Sequence, residues 1–373
     1  MKSAVHALTR DELQQHLAAW GEPAFRTDQL LAWLYQHHVT SWDAMTNLPR
    51  ALRARLAETF DLRVPARVTT RGAADATTKF LWRLADGALI ESVLIPANPA
   101  LYGEPSDRHT LCVSTQVGCA YGCRFCASGL DGWKRNLTPD EIVNQVLAVE
   151  RWHAARAARA ATEPSPSPAP ERLITNLVIM GMGEPLANYD HLLKALRLLN
   201  APWGGGIGAR KITISTSGLA PQVRRLADEP EQFRLAISLH GATDPVRSRL
   251  MPVNRRYPLR ELLAACEYYR TRKGRMLTFE YILIAGVNDS LADARALARL
   301  ARPLGAKVNL IPYNRVEGLP WERPAEAVCE TFLAELERDG VKATLRREKG
   351  GDIEAACGQL RLQTLSTDAG PAP

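Results

Sequence analysis

The chain has 373 residues, a hydrophobic content of 46% and a formal net charge of +7 at pH 7, enough for one large α/β domain with a smaller companion. No apolar run approaches the ~20 residues of a membrane-spanning helix, and the N-terminus lacks the long apolar stretch of a secretory signal. Seven cysteines, four of them within residues 112–126, do not fit a secreted disulfide framework, so we expect a cytoplasmic protein that binds no membrane.

Residues 1–62 predict a small helical domain. Apolar residues recur there at helical spacing, as Leu13, Leu17 and Trp20 and again as Leu30, Leu31 and Leu34. The segment holds six Lys or Arg and seven Asp or Glu, so the positive excess of the chain lies beyond it. Basic surfaces are typical of proteins that bind polyanions and also of ordinary solvated surfaces, so charge alone leaves both interpretations open.

Residues 63–104 predict a short β-extension. Apolar and polar side chains alternate between residues 66 and 96, and Gly72 and Gly87 mark turns. The alternation ends in IESVLIP, shortly before the segment in which we expect the main domain to begin.

Residues 105–350 predict an open, partial TIM-like barrel. Short apolar runs alternate there with amphipathic helices, and the predicted strands are TLCVSTQ, NLVIMGM, KITISTS, RLAISLH, LTFEYILI and KVNLIPYN. Strand–helix units in series imply parallel strands with crossover helices. Six units are two short of a closed eightfold barrel, so we expect an open one.

Two segments predict irregular structure. Residues 155–171 are rich in Ala, Pro and Ser, which indicates a flexible surface loop. Residues 351–373 form a C-terminal segment, and within it residues 364–373 predict a disordered tail.

The strongest chemical signal is the spacing of Cys119, Cys123 and Cys126 in GCAYGCRFCASG. Three thiolates at Cys-x3-Cys-x2-Cys spacing can ligate three irons of a cubane cluster and leave the fourth iron open, whereas most such clusters have four cysteine ligands. A structural zinc site is the alternative, but zinc usually takes a second Cys or His pair, and the sequence offers none at suitable spacing. The pattern therefore favours an iron–sulfur cluster.

Polar and glycine residues follow the predicted strands where a barrel of this kind places its chemistry. They are Gly181, Gly183 and Glu184, then Ser215 and Ser217, then Ser238 and His240, and finally Asn314. Each residue taken alone is also a common strand-end cap. Their recurrence along one rim, next to the cysteine loop, predicts a binding site.

Two further cysteines attract attention. Cys112 lies on the strand that leads into the cysteine loop, and Cys357 follows a Gly-Gly turn among small residues that leave room around its sulfur. A buried free cysteine usually acts as a small hydrophobic residue, which is our interpretation of Cys266 and Cys329.

Long motifs in this order resemble the RlmN/Cfr family of radical S-adenosylmethionine (SAM) RNA methyltransferases. They are CVSTQVGCAYGCRFC, NLVIMGMGEPLANYD, ITISTSG, AISLHG, MPVNRRY, NLIPYN and GGDIEAACGQL. The resemblance extends from about residue 78 to residue 361. Residues 1–62 resemble the RNA-binding accessory domain of that family. The proline after Glu184 is similar to the C2-methylating RlmN branch rather than to the C8-methylating Cfr branch.

The resemblance implies two cofactors and a set of residues around them. One [4Fe–4S] cluster would be held by Cys119, Cys123 and Cys126, and two SAM molecules would be used per turnover. The implied SAM contacts are Phe125, Gly183, Glu184, Ser215, Ser238, Leu239, His240 and Asn314.

The resemblance also implies a ping-pong reaction. Cys357 would carry a methyl group taken from one SAM, and a radical made from a second SAM would activate it for addition to adenine. Glu91 would remove the adenine proton, and Cys112 would release the product by forming a disulfide with Cys357. The alternative for Glu91 is an ordinary surface carboxylate on a β-hairpin.

The implied partners are 23S rRNA, at the peptidyl transferase centre, and an electron donor such as flavodoxin or ferredoxin. The adenine 3′ of the anticodon in tRNA stays open as a second substrate. Two other hypotheses also stay open, namely a Cfr-like adenine-C8 methyltransferase and a non-catalytic iron–sulfur or zinc RNA-binding protein. The last would leave Cys112, Cys357 and Glu91 without a role.

Overall fold

The computed structural model describes residues 2–72, 77–97, 106–160, 172–316, 318–346 and 359–368. Cys357 therefore lies outside the described residues. No helix within these stretches is both long and apolar enough to span a membrane.

The N-terminal part is helical, as predicted, and contains α1 (Arg10–Ala19), α2 (Phe25–Tyr35) and α3 (Arg50–Thr59). Two short parallel strands, β1 (Ser3–Ala4) and β2 (Phe60–Asp61), join its ends. Helix α1 begins at a capping box, in which Glu12 N–H donates to Thr9 Oγ1 (3.2 Å) and Thr9 N–H donates to Glu12 Oε2 (2.6 Å).

The predicted β-extension is confirmed as three antiparallel strands, β3 (Ala66–Gly72), β4 (Thr78–Arg83) and β5 (Leu89–Pro96). The turn between β4 and β5 contains Gly87 at φ +84°, a conformation that favours glycine. Strand β5 pairs antiparallel with β6 (His109–Cys112), the first strand of the barrel, so the extension continues the main sheet.

The barrel strands are parallel and follow one another in chain order, as the sequence predicts. After β6, the strands β7 (Gln116–Gly118) and β8 (Trp133–Asn136) form a separate hairpin around the cysteine loop. The sheet continues through β9 (Asn176–Ile179), β10 (Ile212–Thr216), β11 (Arg234–Ser238), β12 (Thr278–Leu283), β13 (Lys307–Pro312) and β14 (Ala343–Leu345). Within the described part of the chain the sheet ends at β3 and β14, so the barrel is open.

Crossover helices connect these strands, as parallel pairing requires. They are α4 (Pro139–Ala160), α5 (Tyr189–Asn200), α6 (Ala220–Asp228), α7 (Asp244–Leu250), α8 (Leu259–Lys273), α9 (Leu291–Leu304) and α10 (Glu326–Arg338). A last helix, α11 (Gln359–Asp368), follows the barrel. Short 3-10 turns occur at Val5–Ala7, Trp42–Ala44, Ala127–Gly129, Pro185–Asn188, Ala209–Lys211 and Pro252–Arg255.

Three sequence predictions need correction. All six predicted parallel strands are present, but β14 adds a seventh, which the sequence hides in a three-residue run among charged residues. The predicted loop is helical over residues 155–160, because Ala and Arg are strong helix formers, and residues 161–171 lie outside the described residues. The predicted disordered tail is wrong for residues 364–368, which belong to α11.

The helical N-terminal part packs on the barrel and shares its hydrophobic core. Lys194 Nζ on α5 lies 2.9 Å from Glu12 Oε1 on α1. His6 is 1% exposed and lies 3.4 Å from the side-chain amide of Asn144 on α4. The division at residue 62 is therefore not a division between two separate cores.

We expect His6 to make the folded state acid-sensitive. Burial, aided by Arg151 and His38, lowers the pKa of His6 to about 3, below its ordinary value of 6.5. The unfolded chain then binds more protons between about pH 6.5 and pH 3, so stability falls as the pH falls through this window. Between pH 7 and pH 4.5, the free energy of unfolding measured in urea should fall by about 2–3 kcal/mol less in His6→Gln than in the wild type. The exposed His16→Gln serves as control, and an unchanged pH dependence in His6→Gln would contradict the assignment.

Candidate active site

The three predicted cluster cysteines lie on one loop between β7 and β8. The loop starts after Gly118, whose φ is +73° and where a Cβ would lie 1.8 Å from the carbonyl oxygen of Gly132. Cys119 N–H donates to that same oxygen (3.2 Å), and Cys126 N–H donates to the carbonyl of Cys123 (3.1 Å). Glycine at position 118 thus allows the two ends of the loop to close tightly.

The three thiols influence one another. Burial, with contributions from Cys126 and Glu184, raises the pKa of Cys119 to about 12. Burial also raises the pKa of Cys123 well above its usual value, and Cys126 and Cys119 add to this rise. A site that disfavours thiolates in this way requires a cation to hold them ionised, and thiolates are the ligands of iron–sulfur clusters. Among the described residues, no three His, Cys, Asp or Glu side chains are already gathered around a position for a single metal ion.

A cavity of about 470 Å³ borders the cysteine loop, and Cys123 lies in its wall. The segment after β13 covers part of it, since Trp321 Nε1 donates to the carbonyl of Arg124 (2.7 Å). The Arg249 guanidinium lies over the Trp321 ring, 5.3 Å from its centroid. The loop is therefore packed on one side and open on the other.

Gly183 and Glu184 lie in the turn after β9, tied to the neighbouring strands. Gly183 has φ +101°, and a Cβ there would lie 2.5 Å from Gln116 Cβ, so only glycine fits. Glu184 N–H donates to Gln116 Oε1 (2.8 Å). The Glu184 carboxylate accepts from Ser217 N–H (2.7 Å) and from Leu186 N–H (3.0 Å). Burial raises the pKa of Glu184 even though these hydrogen bonds oppose the rise.

The next two strand ends also meet. Ser215, on β10, and Ser238, on β11, have their hydroxyl oxygens 3.3 Å apart. Leu239 follows Ser238 and is buried. Because β10 and β11 are neighbours in register, these positions form one continuous edge with the turn that carries Glu184.

His240 packs against the cysteine loop. Its ring meets Phe125 edge to face, with centroids 4.8 Å apart. Burial, aided by Arg247, lowers the pKa of His240 to about 3, so the imidazole is neutral. Its Nδ1 accepts from Ile282 N–H (3.1 Å), which leaves the proton on Nε2. His240 also adopts φ +55°, a conformation that is uncommon outside glycine and that recurs at functional sites.

Among the residues predicted to bind SAM, Asn314 has a hydrogen-bond partner outside the other strand ends. Its Oδ1 accepts from Arg323 Nη1 (3.3 Å) rather than from a residue of the other strand ends. The segment that follows it nevertheless contacts the cysteine loop, since Trp321 Nε1 donates to the carbonyl oxygen of Arg124 (2.7 Å).

The predicted catalytic residues Glu91 and Cys112 lie on neighbouring strands. Cys112 ends β6 and pairs in register with Val93, two residues after Glu91 on β5. Glu91 is 3% exposed, so the interpretation of a surface carboxylate is wrong. Its Oε2 lies 3.1 Å from Lys79 Nζ, and its Oε1 accepts from Arg361 N–H (2.7 Å).

The sequence analysis missed Arg247, the buried residue that holds the strand ends in place. Arg247 is 0% exposed, and its guanidinium donates to the carbonyls of Ser217 (2.5 Å) and Leu239 (3.1 Å) and to Asn254 Oδ1 (2.8 Å). It lies on a helix after β11, where no motif marked it. A buried arginine is identifiable only once the carbonyls that it satisfies are known.

Replacing Arg247 should destabilise the fold strongly. Arg247→Met would leave the Ser217 carbonyl and Asn254 Oδ1 without this donor, whereas the Leu239 carbonyl still accepts from Gly241 N–H (2.8 Å). We therefore expect the free energy of unfolding to fall by about 3 kcal/mol in urea titration. Arg249→Met on the same helix is the control, because Arg249 is exposed and should cost under about 1 kcal/mol. Equal losses in the two variants would show that the buried hydrogen bonds of Arg247 contribute little.

The open parallel barrel, the three-cysteine loop after its first strand and the Gly–Glu turn after its second together define a radical SAM enzyme. A family model described as the Radical SAM superfamily matches residues 169–298. A second, described as the Ribosomal RNA large subunit methyltransferase N-terminal domain, matches residues 5–62.

Full-length relatives narrow this class. The chain is 54% identical to the "probable dual-specificity RNA methyltransferase RlmN 3" of Opitutus terrae, over 95% of this chain and 93% of the relative. It is 50% identical to the dual-specificity RNA methyltransferase RlmN of an Anaeromyxobacter species, over 96% and 90%. A crystal structure of a radical SAM methyltransferase from Sphaerobacter thermophilus matches with 47% identity and a TM-score of 0.86, over 96% and 98%.

The chain belongs to the RlmN family of radical SAM RNA methyltransferases. Membership confirms the predicted fold class and the predicted cofactors, a [4Fe–4S] cluster and SAM. The roles of the individual site residues stay predictions.

Proposed function

We propose that this protein methylates C2 of a specific adenine in 23S rRNA at the peptidyl transferase centre, and C2 of the adenine 3′ of the anticodon in tRNAs. The relatives named dual-specificity RNA methyltransferases support both substrates. The observation that carries the proposal is the contact between Arg361 and Glu91. Arg361 follows Cys357 by four residues, and the strand of Glu91 pairs with the strand of Cys112. The contact therefore links the parts of the chain that carry all three proposed catalytic residues.

The chemistry explains why such residues are needed. Adenine C2 is an electron-poor carbon, so it cannot displace the methyl group of SAM as a nucleophile would. The bound cluster and SAM supply a radical that removes a hydrogen atom from a methyl group. In this proposal the Cys357 thiolate carries that methyl group, as an activated protein nucleophile does in covalent catalysis.

Two residues complete the reaction. The carbon on Cys357, once it carries the radical, would bond to C2, and Glu91 would accept the C2 proton. The Cys112 thiolate would then attack the sulfur of Cys357, so that the carbon–sulfur bond breaks, a disulfide forms, and the released carbon takes up a proton to become the methyl group of the RNA. The one unpaired electron would return to the bound cluster, which supplies one electron at the start. Cys112 is buried, and its strand is the direct neighbour of the strand of Glu91, which suits sequential action on one substrate.

The remaining site residues serve the cofactors in this proposal. Cys119, Cys123 and Cys126 would hold the cluster. Those that would bind SAM are Phe125, Gly183, Glu184, Ser215, Ser238, Leu239, His240 and Asn314. A flavodoxin or ferredoxin as electron donor, two SAM molecules per turnover and a cytoplasmic location belong to the same proposal.

The N-terminal part would contribute to RNA binding. A groove of about 600 Å³ runs along α3, with Lys2, Arg50 and Arg53 in its walls. Cationic side chains in a groove suit phosphate contacts, whose strength falls with salt.

Removing one of these cations should weaken RNA binding measurably. We expect Arg50→Ala to lower the affinity for 23S rRNA several-fold and the slope of log affinity against log salt by about one. Arg10→Ala is the matched control, since Arg10 in the same helical part is paired with Asp28 (3.0 Å). Binding curves that superimpose for Arg50→Ala and the wild type at every salt concentration would exclude Arg50 from the interface.

The proposed function is tested by anaerobic reconstitution with reductant, SAM carrying a labelled methyl group, and purified RNA. We expect labelled 2-methyladenosine in nucleoside digests of unmodified 23S rRNA and tRNA, and none with Glu91→Gln, in which the label can reach RNA only as the covalent enzyme–RNA adduct. Label in neither RNA, from protein whose cluster is intact, would refute the proposal. Label in rRNA but not in tRNA would refute the tRNA part of the proposed function.

A further inference from the structure

The buried partner of Glu91 is a lysine. Lys79 on β4 is 0% exposed, and its Nζ lies 3.1 Å from Glu91 Oε2. A buried carboxylate is costly unless a charged partner offsets the loss of hydration, and removing one partner of such a pair leaves the other charge uncompensated. Lys79 therefore holds one oxygen of the buried Glu91 carboxylate in a fixed place.

The other oxygen of Glu91 faces the start of α11. Arg361 is the third residue of this helix, and its N–H belongs to the first turn, where backbone N–H groups have no partner within the helix. Glu91 Oε1 accepts this N–H at 2.7 Å, so the carboxylate caps the helix and benefits from its dipole. Leu360 packs beside it against Leu81 and Leu89 of the β-extension.

The side chain of Arg361 reaches toward the cysteine loop. It is 4% exposed, and its Nη2 lies 2.6 Å from Asp131 Oδ2, between the last cluster cysteine and β8. Gln359 Nε2 donates to the carbonyl of Arg315, next to Asn314 (3.1 Å). Helix α11 thus contacts the β-extension, the cysteine loop and the end of β13 at once.

We propose that Lys79 and the backbone N–H of Arg361 are positioning residues for Glu91, fixing the place and direction of the carboxylate that takes the C2 proton. The inference rests on the proposed function. In the step concerned, the C2–H bond breaks, the proton moves to a Glu91 oxygen and the electron pair stays on the adenine. Lys79 and Arg361 occupy one side of the carboxylate each, so the orientation is set before RNA arrives.

The first test uses the full-length reconstituted enzyme with 23S rRNA and compares Lys79→Met with Lys79→Arg. Without the lysine, the Glu91 carboxylate should lose one of the two contacts that orient it, and the covalent enzyme–RNA complex should accumulate because its C2 proton is removed more slowly. We expect the complex to decay about tenfold more slowly in Lys79→Met. Lys79→Arg, which keeps a charged donor at this position, should restore the decay rate to within a few-fold.

The second test isolates the N–H of Arg361. Arg361→Ala keeps the N–H and loses the side chain, whereas Arg361→Pro loses both, and proline is tolerated in a first helical turn. We expect slower decay of the complex in Arg361→Pro than in Arg361→Ala. If Lys79→Met fails to fold, the comparison of Arg361→Ala with Arg361→Pro still tests the positioning role.

The outcomes separate the inference from the proposed function. A wild-type decay rate in Lys79→Met, or identical decay in the two Arg361 variants, would overturn the positioning roles while methylation itself stood. A wild-type enzyme that methylates no RNA would instead refute the proposed function.

Discussion

Cys123→Ala should lose the iron–sulfur cluster and, with it, all RNA methylation. Cys123 lies between Cys119 and Cys126 on a loop whose thiols raise one another's pKa, so each thiolate needs the metal and the cluster needs all three. Anaerobically purified wild type should contain about four irons per chain with matching sulfide, and the variant close to none.

Cys329→Ala is the matched control for this experiment. Cys329 is buried on α10, away from the cysteine loop, so its loss should cost only about 1–2 kcal/mol of stability and leave the iron content unchanged. Stoichiometric zinc without sulfide in the wild type, or a full cluster in Cys123→Ala, would contradict the assignment of the three ligands.

Cys112→Ala should leave the enzyme covalently joined to its RNA. It removes only the thiol that releases the adduct, so a complex should survive denaturation and disappear on nuclease digestion. Cys357→Ala should instead form no adduct and no product, because nothing carries the methyl group. In the wild type, the peptide containing Cys357 should show a gain of about 14 Da by mass spectrometry.

The competing interpretation is that both cysteines only fill space. In that case either alanine would loosen packing by about 1–2 kcal/mol, and neither would trap RNA. A Cys112→Ala enzyme without any crosslinked species, together with an unmethylated Cys357 in the wild type, would refute the ping-pong reaction and leave the radical SAM barrel standing.

Sequence alone predicts the parts of this site that depend on local spacing. The cysteine loop and the strand-end positions, from Gly183 to His240, can be found because each follows a recognisable strand or a fixed interval. In the structure, Ser217 N–H donates to Glu184, and the hydroxyl groups of Ser215 and Ser238 lie within hydrogen-bond distance. These contacts follow from the pairing of neighbouring parallel strands.

The residues that sequence analysis missed act across long intervals. Arg247 satisfies carbonyls on other strands, and Arg361 reaches Glu91 from 270 positions away. Lys79 lies on a strand that is buried on both faces, so the alternation of polar and apolar residues does not show which side chains are exposed. The sequence analysis also missed β14 and α11, for a related reason. These short or polar elements are stabilised by the surface on which they pack rather than by a hydrophobic pattern of their own.

The central claim is that this enzyme methylates adenine at C2, and the most direct measurement is the identity of the modified nucleoside. Unmodified 23S rRNA, incubated anaerobically with reconstituted enzyme and SAM, would be digested to nucleosides and separated by liquid chromatography with mass detection against authentic 2-methyladenosine and 8-methyladenosine. We expect 2-methyladenosine from the wild type and none from Glu91→Gln. Finding 8-methyladenosine in its place, or no methylated adenosine from cluster-loaded enzyme, would contradict the claim.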